Sequence, residues 1–596
     1  MKGELTGIRA LALVAAAGLL AQPSAGQDTA PGWVARSNAN AQPVLELIAR
    51  FNPEAAGSVG VDGLDEEILD LKPGIYDRSR KASEGALADV RKALAAESDP
   101  KVRQDLGILV QMLEDNLHSS QLDRDNMLPY YNVSQTVFRG IRGLIDPQIP
   151  AERYPAAVVR LRKYAGLEPG FDPVTDLARA RTEERFEVEG LTGPYRGEVE
   201  QDLERAETFI TGLEELLAGA GIEGWQEPYA TLAGQLRAYN EWLRDEMLPR
   251  AREDFRLPLV MYEDALKQWG VDASPETLIE QATQGYMDIR NEMMALAPLV
   301  AAEKGYETTD YRDVIRLLKK EQIPGDEILD FYRARLGELE EIIRRENLVS
   351  LPDREAGIRI GTAAETAAQP SPHLDIPRLI GNTGEYPDFV LPLLEKDADG
   401  NWRGSDDTYD AGSWTLTAHE ARPGHELQFS SMLESGVSIT RALFAFNSAN
   451  VEGWALYAEA IAKPYMPLDG QLISLQFRLA RAARMFLDPL LNLGQITPDE
   501  AKRLLTDDVV LGDRWAQNEI ERYTYRIPGQ ATAYYYGYAK LQSLRAQTEL
   551  ALKDRFNQQA FHDFVLAQGL LPPQLLKSAV MEEFVPARAG VPGAGR

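Results

Sequence analysis

Thr417–Phe429 reads TAHEARPGHELQF and holds two of the chain's five histidines. His419 and Glu420 begin an H-E-x-x-H pattern, in which two histidines one helical turn apart share a metal ion. Position 423, where the second histidine belongs, is a proline, and the next histidine is His425. On one unbroken helix six residues turn through roughly 600° and climb roughly 9 Å, which splays the two imidazoles by about 120°. They could not then share an ion. Pro423 argues against an unbroken helix, because its ring collides with the carbonyl four residues back, at His419, and it has no N–H to donate. Gly424 admits backbone angles that other residues avoid. The stretch therefore predicts a helix ending near His419–Glu420 and a second beginning near His425, with both rings turned to a common point.

The chain has no cysteine, which excludes disulfides and thiolate ligands. A metal must be held by histidine and carboxylate, and the remaining histidines are His118, His373 and His562. Downstream lies NVEGWALYAEA, Asn450–Ala460. Asn450 as a helix cap puts Glu452 in the first turn, with Glu459 seven residues on and on the same face. Glu452 is the expected third ligand, and Glu459 the outer partner that orients an imidazole. Two neutral imidazoles and one carboxylate suit a single hydrolytic Zn2+ ion, which lowers the pKa of coordinated water toward 7. Mn2+ or Co2+ fits the same ligand types. Glu420, next to a ligand, is the expected general base. Glu426 stands in the same relation to His425 and is its rival. Gln428, one turn beyond His425, is a candidate for lining the substrate cleft.

Most of the remaining chain has helical periodicity. Leu106, Leu109, Val110, Leu113 and Leu117 fall on one helical face, and amphipathic patterns run through 196–219, 225–247, 323–346 and 536–556. Ser274 before Pro275 and Thr497 before Pro498, with Glu500 in register for a capping box, read as helix starts. The exception is 348–416, where IRIG, FVLPLL and SWTLT are strand candidates and DADGN, Asp397–Asn401, reads as a turn rather than a calcium loop. A mainly α protein follows, with a small sheet just before the histidine pair.

Net charge is −29 and hydrophobic residues make up 44% of the 596, enough for large cores. A strongly acidic surface repels phosphate backbones and anionic lipid, so neither nucleic acid nor a membrane surface is an expected partner. Lys2 and Arg9 precede an apolar run, Ala10–Ala21, followed by the small residues Ser24, Ala25 and Gly26. That is the pattern of a signal peptide, and the run is too short to span a bilayer. Cleavage near Ala25 or Gly26 predicts a soluble periplasmic or secreted protein. No cysteine follows the run, so lipid attachment is not expected. The anticipated organisation is a leader over 1–26, a helical region over 27–347 and a metal-binding region over 348–596.

Three blocks, HEARPGHELQ, EGWALYAE and RYTYRIPGQATAYYYG (Arg522–Gly537), occur in that order. Together they resemble a bacterial family of unknown function whose members are described as zinc metallopeptidases. Its pattern is H-E-A-x-P-G-H-H-L-Q, E-G-W-A-x-Y-x-E and R-Y-x-x-x-P-G-Q-A-x-x-Y-x-x-G. FNPEAAGSVGVDGLDEEILDL, Phe51–Leu71, resembles that family's start, so the likeness covers nearly the whole mature chain as one unit of two lobes. The family is similar to the gluzincin peptidases, including thimet-type oligopeptidases and Taq-type carboxypeptidases, which are mostly helical with a deep substrate cleft. The resemblance implies His419, His425 and Glu452 as zinc ligands and Glu420 as base. Glu426 stands where the family usually has a second histidine, and is expected outside the ligand set.

In the third block, Tyr534, Tyr523 and Arg522 are candidate donors to a tetrahedral oxyanion, with Tyr534 preferred by analogy with gluzincin tyrosines. Pro528–Gly529 breaks the helix so that both halves aim at one pocket. Arg522 is placed to pair with Glu452 or Glu459, or to bind a substrate carboxylate, and Gln530 to contact substrate backbone. Trp454, Tyr457 and Phe429 are expected in the core. The expectation is an exported zinc peptidase acting on short peptides. The alternatives are an amidase or esterase for a non-peptide molecule, and an inactive binding protein of the same fold.

Overall fold

The computed structural model describes residues 32–145, 149–362, 365–366, 369, 371–382, 384–394, 396, 406 and 408–590. The expected leader and the DADGN turn lie outside the described residues. Among the described residues no helix is long and apolar enough to cross a membrane. The chain is mainly α, with one small sheet among the described residues. It forms two compact units. The first takes residues up to 255 together with 376–385 and 436–445, and the second takes 256–375, 386–435 and the chain from 446 onward. Position 347 falls inside the second unit.

In the first unit α1 (Gly32–Phe51), α2 (Ile75–Ala96) and α3 (Pro100–Asn126) pack together. Asp99 caps α3 with its side chain on the N–H of Lys101, and Leu106, Leu109 and Leu113 turn into the core. Val110 and Leu117 pack at its margin, as a stripe wider than the strict i, i+3 positions requires. A second core gathers α4 (Val133–Arg142), α5 (Arg196–Gly219) and α6 (Gln226–Trp242), the last two on the expected amphipathic runs. The 436–445 segment is fixed by a buried carboxylate: Asp105 accepts from Ser37 and Ser438 at 2.5 Å and from Arg441 at 2.8 Å.

The second unit carries the histidine pair. α7 (Pro275–Lys304) is capped by Ser274, whose hydroxyl accepts from the N–H of Thr277. α8 (Ile328–Arg345) leads to the sheet of β1 (Gly357–Ile360), β2 (His373–Asp375) and β3 (Asp388–Leu391). β3 is central, parallel to β1 and antiparallel to β2, with Ile358 and Leu374 both opposite Phe389. Phe389 and Leu391 pack on Tyr332 of α8 and on Leu416.

Leu416 belongs to α9 (Asp410–Glu420), so SWTLT is helical and not a strand. Every residue of α9 from Ala411 to His419 is buried. A helix buried on all sides loses its polar stripe, and a short apolar run then reads equally well as a strand. After α9 come α10 (His425–Ser435), α11 (Ser448–Ala462), α12 (Leu468–Asn492), α13 (Asp513–Glu521), α14 (Ala533–Leu552) and α15 (Gln558–Leu566). Buried along nearly its whole length, α12 packs on α7, α9 and α14.

Candidate metal centre

α9 stops at Glu420 and α10 starts at His425, with the break over Ala421–Gly424. Glycine is required at 424 by proximity. A Cβ there would lie 1.9 Å from the His419 carbonyl oxygen and 2.4 Å from that of Ala418. This differs from the unusual backbone angles expected of it. Trp454 on α11 braces the break by donating its indole N–H to the carbonyls of Pro423 and Gly424, at 3.0 and 3.3 Å.

The break turns His419 and His425 onto one point. Their ring centroids are 4.8 Å apart and nearly perpendicular, at 86°. Glu452 meets them, and its Oε2 stands 3.6 Å from Nε2 of each histidine. One ligand atom from each of the three lies within 4.8 Å of the others. At 3.6 Å the nitrogens and the oxygen are too far apart to be hydrogen-bonded. Metal bonds of about 2.0–2.1 Å in a tetrahedral set hold neighbouring ligand atoms about 3.3–3.4 Å apart, so the spacing fits a cation between them. Two imidazole nitrogens and a carboxylate are also a donor set that zinc accepts.

Glu452 reaches this point from the second turn of α11, not the first. The cap is Asn447, three residues before the expected Asn450, and its side chain accepts from the N–H of Asn450 at 2.7 Å. Asn450 uses its own amide elsewhere, on the Leu571 carbonyl. Two turns on, Glu459 is fully buried and accepts from His419 Nδ1 at 2.7 Å. Its other oxygen accepts from Thr415 at 2.8 Å. The sequence reading missed Thr415. Its signal is a hydroxyl four residues before His419, on the same face of a helix with no exposed side.

Burial pulls the His419 imidazole down, yet Glu452 and Glu459 outweigh it and hold it up to about 9. Burial pushes Glu452 up, and the two imidazoles outweigh that and keep it well below the usual carboxylate range. The carboxylates thus draw positive charge to the point where the three side chains meet. Glu420, directly after His419, is partly exposed.

Two expected site residues are turned elsewhere. Glu426 is fully buried behind the break, bound to Arg422 at 2.7 Å and Arg354 at 2.7 Å. Its carboxylate neutralises those guanidiniums. Tyr523 is fully buried and spends its hydroxyl on Glu519 at 2.7 Å, which also holds Arg484 through two bonds. It is therefore not available as a donor.

Arg522 does not pair with Glu452 or Glu459. It donates to Gln530 Oε1 and, at 2.9 Å, to the hydroxyl of Tyr534. Gln530 is buried and donates to Ser448. Gly529, at φ +83°, makes the turn that brings Arg522 and Tyr534 together, and its N–H is anchored on buried Asp488 at 2.9 Å. Tyr534 is itself buried, and both Arg522 and Glu452 act on its phenol electrostatically. Its oxygen accepts from Arg522, and no described group accepts its O–H proton.

Gln428 donates to Asn450 at 3.0 Å and keeps an unpaired Oε1. It lies in the wall of a cavity of about 180 Å3 with Asn450, Trp454 and Lys540. None of the three converging ligands lines that cavity. Trp454, Tyr457 and Phe429 are buried in the core.

The family model described as "Bacterial protein of unknown function (DUF885)" matches residues 53–580. The chain belongs to this DUF885 family. The family description assigns no activity. No curated protein matches the chain. Among solved structures, a candidate lipoprotein of unknown function from Shewanella oneidensis aligns with a TM-score of 0.73 at 18% identity, over 93% of this chain and 100% of its own. A candidate lipoprotein from Colwellia psychrerythraea aligns with a TM-score of 0.71 at 18% identity, over 95% of this chain and 100% of its own. At that identity the likeness establishes a shared fold. A candidate oligoendopeptidase F from Bacillus anthracis covers 86% of this chain and 96% of its own at 12% identity, but its TM-score is 0.25, too low to bear on fold or activity.

Proposed function

We propose that this DUF885 protein is an exported, metal-dependent hydrolase of short peptides, with one Zn2+ ion held by His419, His425 and Glu452. The observation that carries the reading is the convergence of three ligand atoms from three helices, two of them joined by the break, within 4.8 Å of one another. Glu459 supports it by fixing His419 from behind at 2.7 Å, an arrangement common to metal-bound histidines. A divalent cation held there would supply Lewis acidity toward a scissile carbonyl and a water. Glu420 directly follows His419 in the chain and is partly exposed, and its role is to take a proton from water and deliver it to the leaving amine. Tyr534, its oxygen held by Arg522, has a proton free to donate to the oxygen on which charge develops. The apolar run over Ala10–Ala21 supports export to the periplasm or medium.

The test combines metal analysis with hydrolysis of a peptide pool, with products identified by mass spectrometry. The purified protein is expected to bind one equivalent of zinc and to cleave peptides. Glu420→Gln is expected to keep the metal and to lose on the order of 10²–10⁴-fold in kcat. Undiminished cleavage by Glu420→Gln rules out this assignment of the base.

A further inference from the structure

α12 carries arginines at 478, 481 and 484, three residues apart and all buried, at 7%, 6% and 5% exposure. Buried guanidiniums are stable only with a counter-anion, since an isolated charge in a low-dielectric interior costs several kcal/mol. Arg484 has its anion, the bidentate Glu519 at 2.8 and 2.7 Å. Arg481 has none among the described residues. Its Nη1 donates to the Phe477 carbonyl at 3.3 Å, its guanidinium lies 4.9 Å from the Phe477 ring centre, and its Nε is buried without a partner. Arg478, one turn earlier, stacks 5.3 Å above the Tyr538 ring, and its Nε and Nη2 are likewise buried and unpartnered.

α12 packs on α9, which carries His419, and Glu459, Arg484, Tyr534 and Glu452 act on Arg481 electrostatically. Burial pulls the Arg481 guanidinium down, and the pull of Glu459 does not make up for it. Glu459 already serves His419 and Thr415. In a chain of net charge −29, buried arginines with unused donors beside a candidate metal centre leave an anion missing, and a ligand can provide it. Guanidinium matches carboxylate geometry.

We infer that Arg481, with Arg478 beside it, forms a subsite for the C-terminal carboxylate of a peptide, so that the scissile bond is chosen by its distance from that end. This rests on the hydrolase reading for the bond that is cut, though not for the binding.

The experiment compares N-acetyl-trialanine as free acid and as amide. Binding is read by calorimetry without added metal, and turnover by the metal-loaded protein. The acid is expected to bind about 100-fold more tightly than the amide, and kcat/KM to favour it similarly. In Arg481→Met both ratios should collapse to within a few-fold. The ligand-free thermal midpoint of Arg481→Met should stay level or rise, because replacing an unpaired buried charge by an apolar side chain removes its desolvation penalty. Equal wild-type binding of acid and amide overturns the subsite without needing any variant, and leaves the hydrolase reading untouched. Preference for the acid that persists in Arg481→Met, with a lowered midpoint, also overturns it and makes Arg481 structural. Acid-selective binding lost in Arg481→Met, in a protein that cleaves no peptide, upholds the subsite and defeats the hydrolase reading.

Discussion

His419 and His425 face the same point, yet they are held differently. Nδ1 of His419 is tied to Glu459, which is tied in turn to Thr415. Nδ1 of His425 is buried with no partner among the described residues. The orientation of the pair therefore depends on Glu459 more than on anything behind His425. Glu459→Gln, nearly isosteric, removes the charge that steadies His419 and is expected to weaken zinc binding about 10–100-fold. Competition with a chromogenic chelator measures this, and unchanged affinity would mean that packing alone orients the ring. At this scale the sequence was informative, because two histidines around a Pro-Gly pair and a Glu-x6-Glu run have few other uses in a chain with five histidines. It favoured Glu420 and left Glu426 as a rival. What it could not show is that Glu426 is held by Arg422 and Arg354, and Arg354 lies seventy-two residues before the glutamate it neutralises.

Among the elements, the crossing of α11 and α14 sets the distance between Glu452 and Tyr534. The helices touch through glycine. A Cβ on Gly453 would lie 2.7 Å from the backbone of Gly537, and one on Gly537 would lie 1.8 Å from the carbonyl oxygen of Ala449. Neither glycine has a positive φ, so what demands it is close approach. Gly537→Ala should push the helices apart, destabilise the protein by about 1–3 kcal/mol and weaken zinc binding by displacing Glu452. Gly234, exposed on α6 with nothing within 4 Å of its added Cβ, is the matched control. Gly234→Ala should stabilise by about 0.5–1 kcal/mol. Thermal and denaturant unfolding of the two variants separates a crowded glycine from a free one, and similar shifts would contradict the crossing. Helix starts were legible, since the Thr497 capping box forms as its sequence indicates. The α9 segment was not, because complete burial erases the polar stripe by which a helix is recognised. The glycine contact was equally hidden, as nothing local in EGW or YYYG names its partner.

For the chain as a whole, Arg478 and Arg481 of α12 illustrate what periodicity cannot disclose: their buried, unpartnered donors become visible only once all surrounding elements are in place. His562 makes the same point for stability. It is fully buried where α11, α14, α15 and the segment after α8 meet. Its Nδ1–H donates to the Leu348 carbonyl at 2.6 Å, and its Nε2 accepts from the Tyr457 hydroxyl at 2.7 Å, which itself accepts from Arg545 at 3.2 Å. Both ring nitrogens are thus satisfied by the neutral tautomer, and a second ring proton would face a hydroxyl already bound to a cation. Burial, with Arg545 adding to it, lowers the pKa from 6.5 to about 4 against the opposing bond to Leu348. The unfolded chain takes up a proton below about 6.5, whereas the folded chain refuses it until about 4. Stability from this residue is therefore complete at neutral pH and is lost as pH falls across that window, by about 3 kcal/mol in all. Denaturant unfolding at several pH values between 7.5 and 4 should show this loss in the wild type. His562→Gln, which cannot titrate, should be less stable at neutral pH but fall less steeply with acid. If both proteins lose stability in parallel, the acid sensitivity comes from other groups and the buried neutral histidine is not its source.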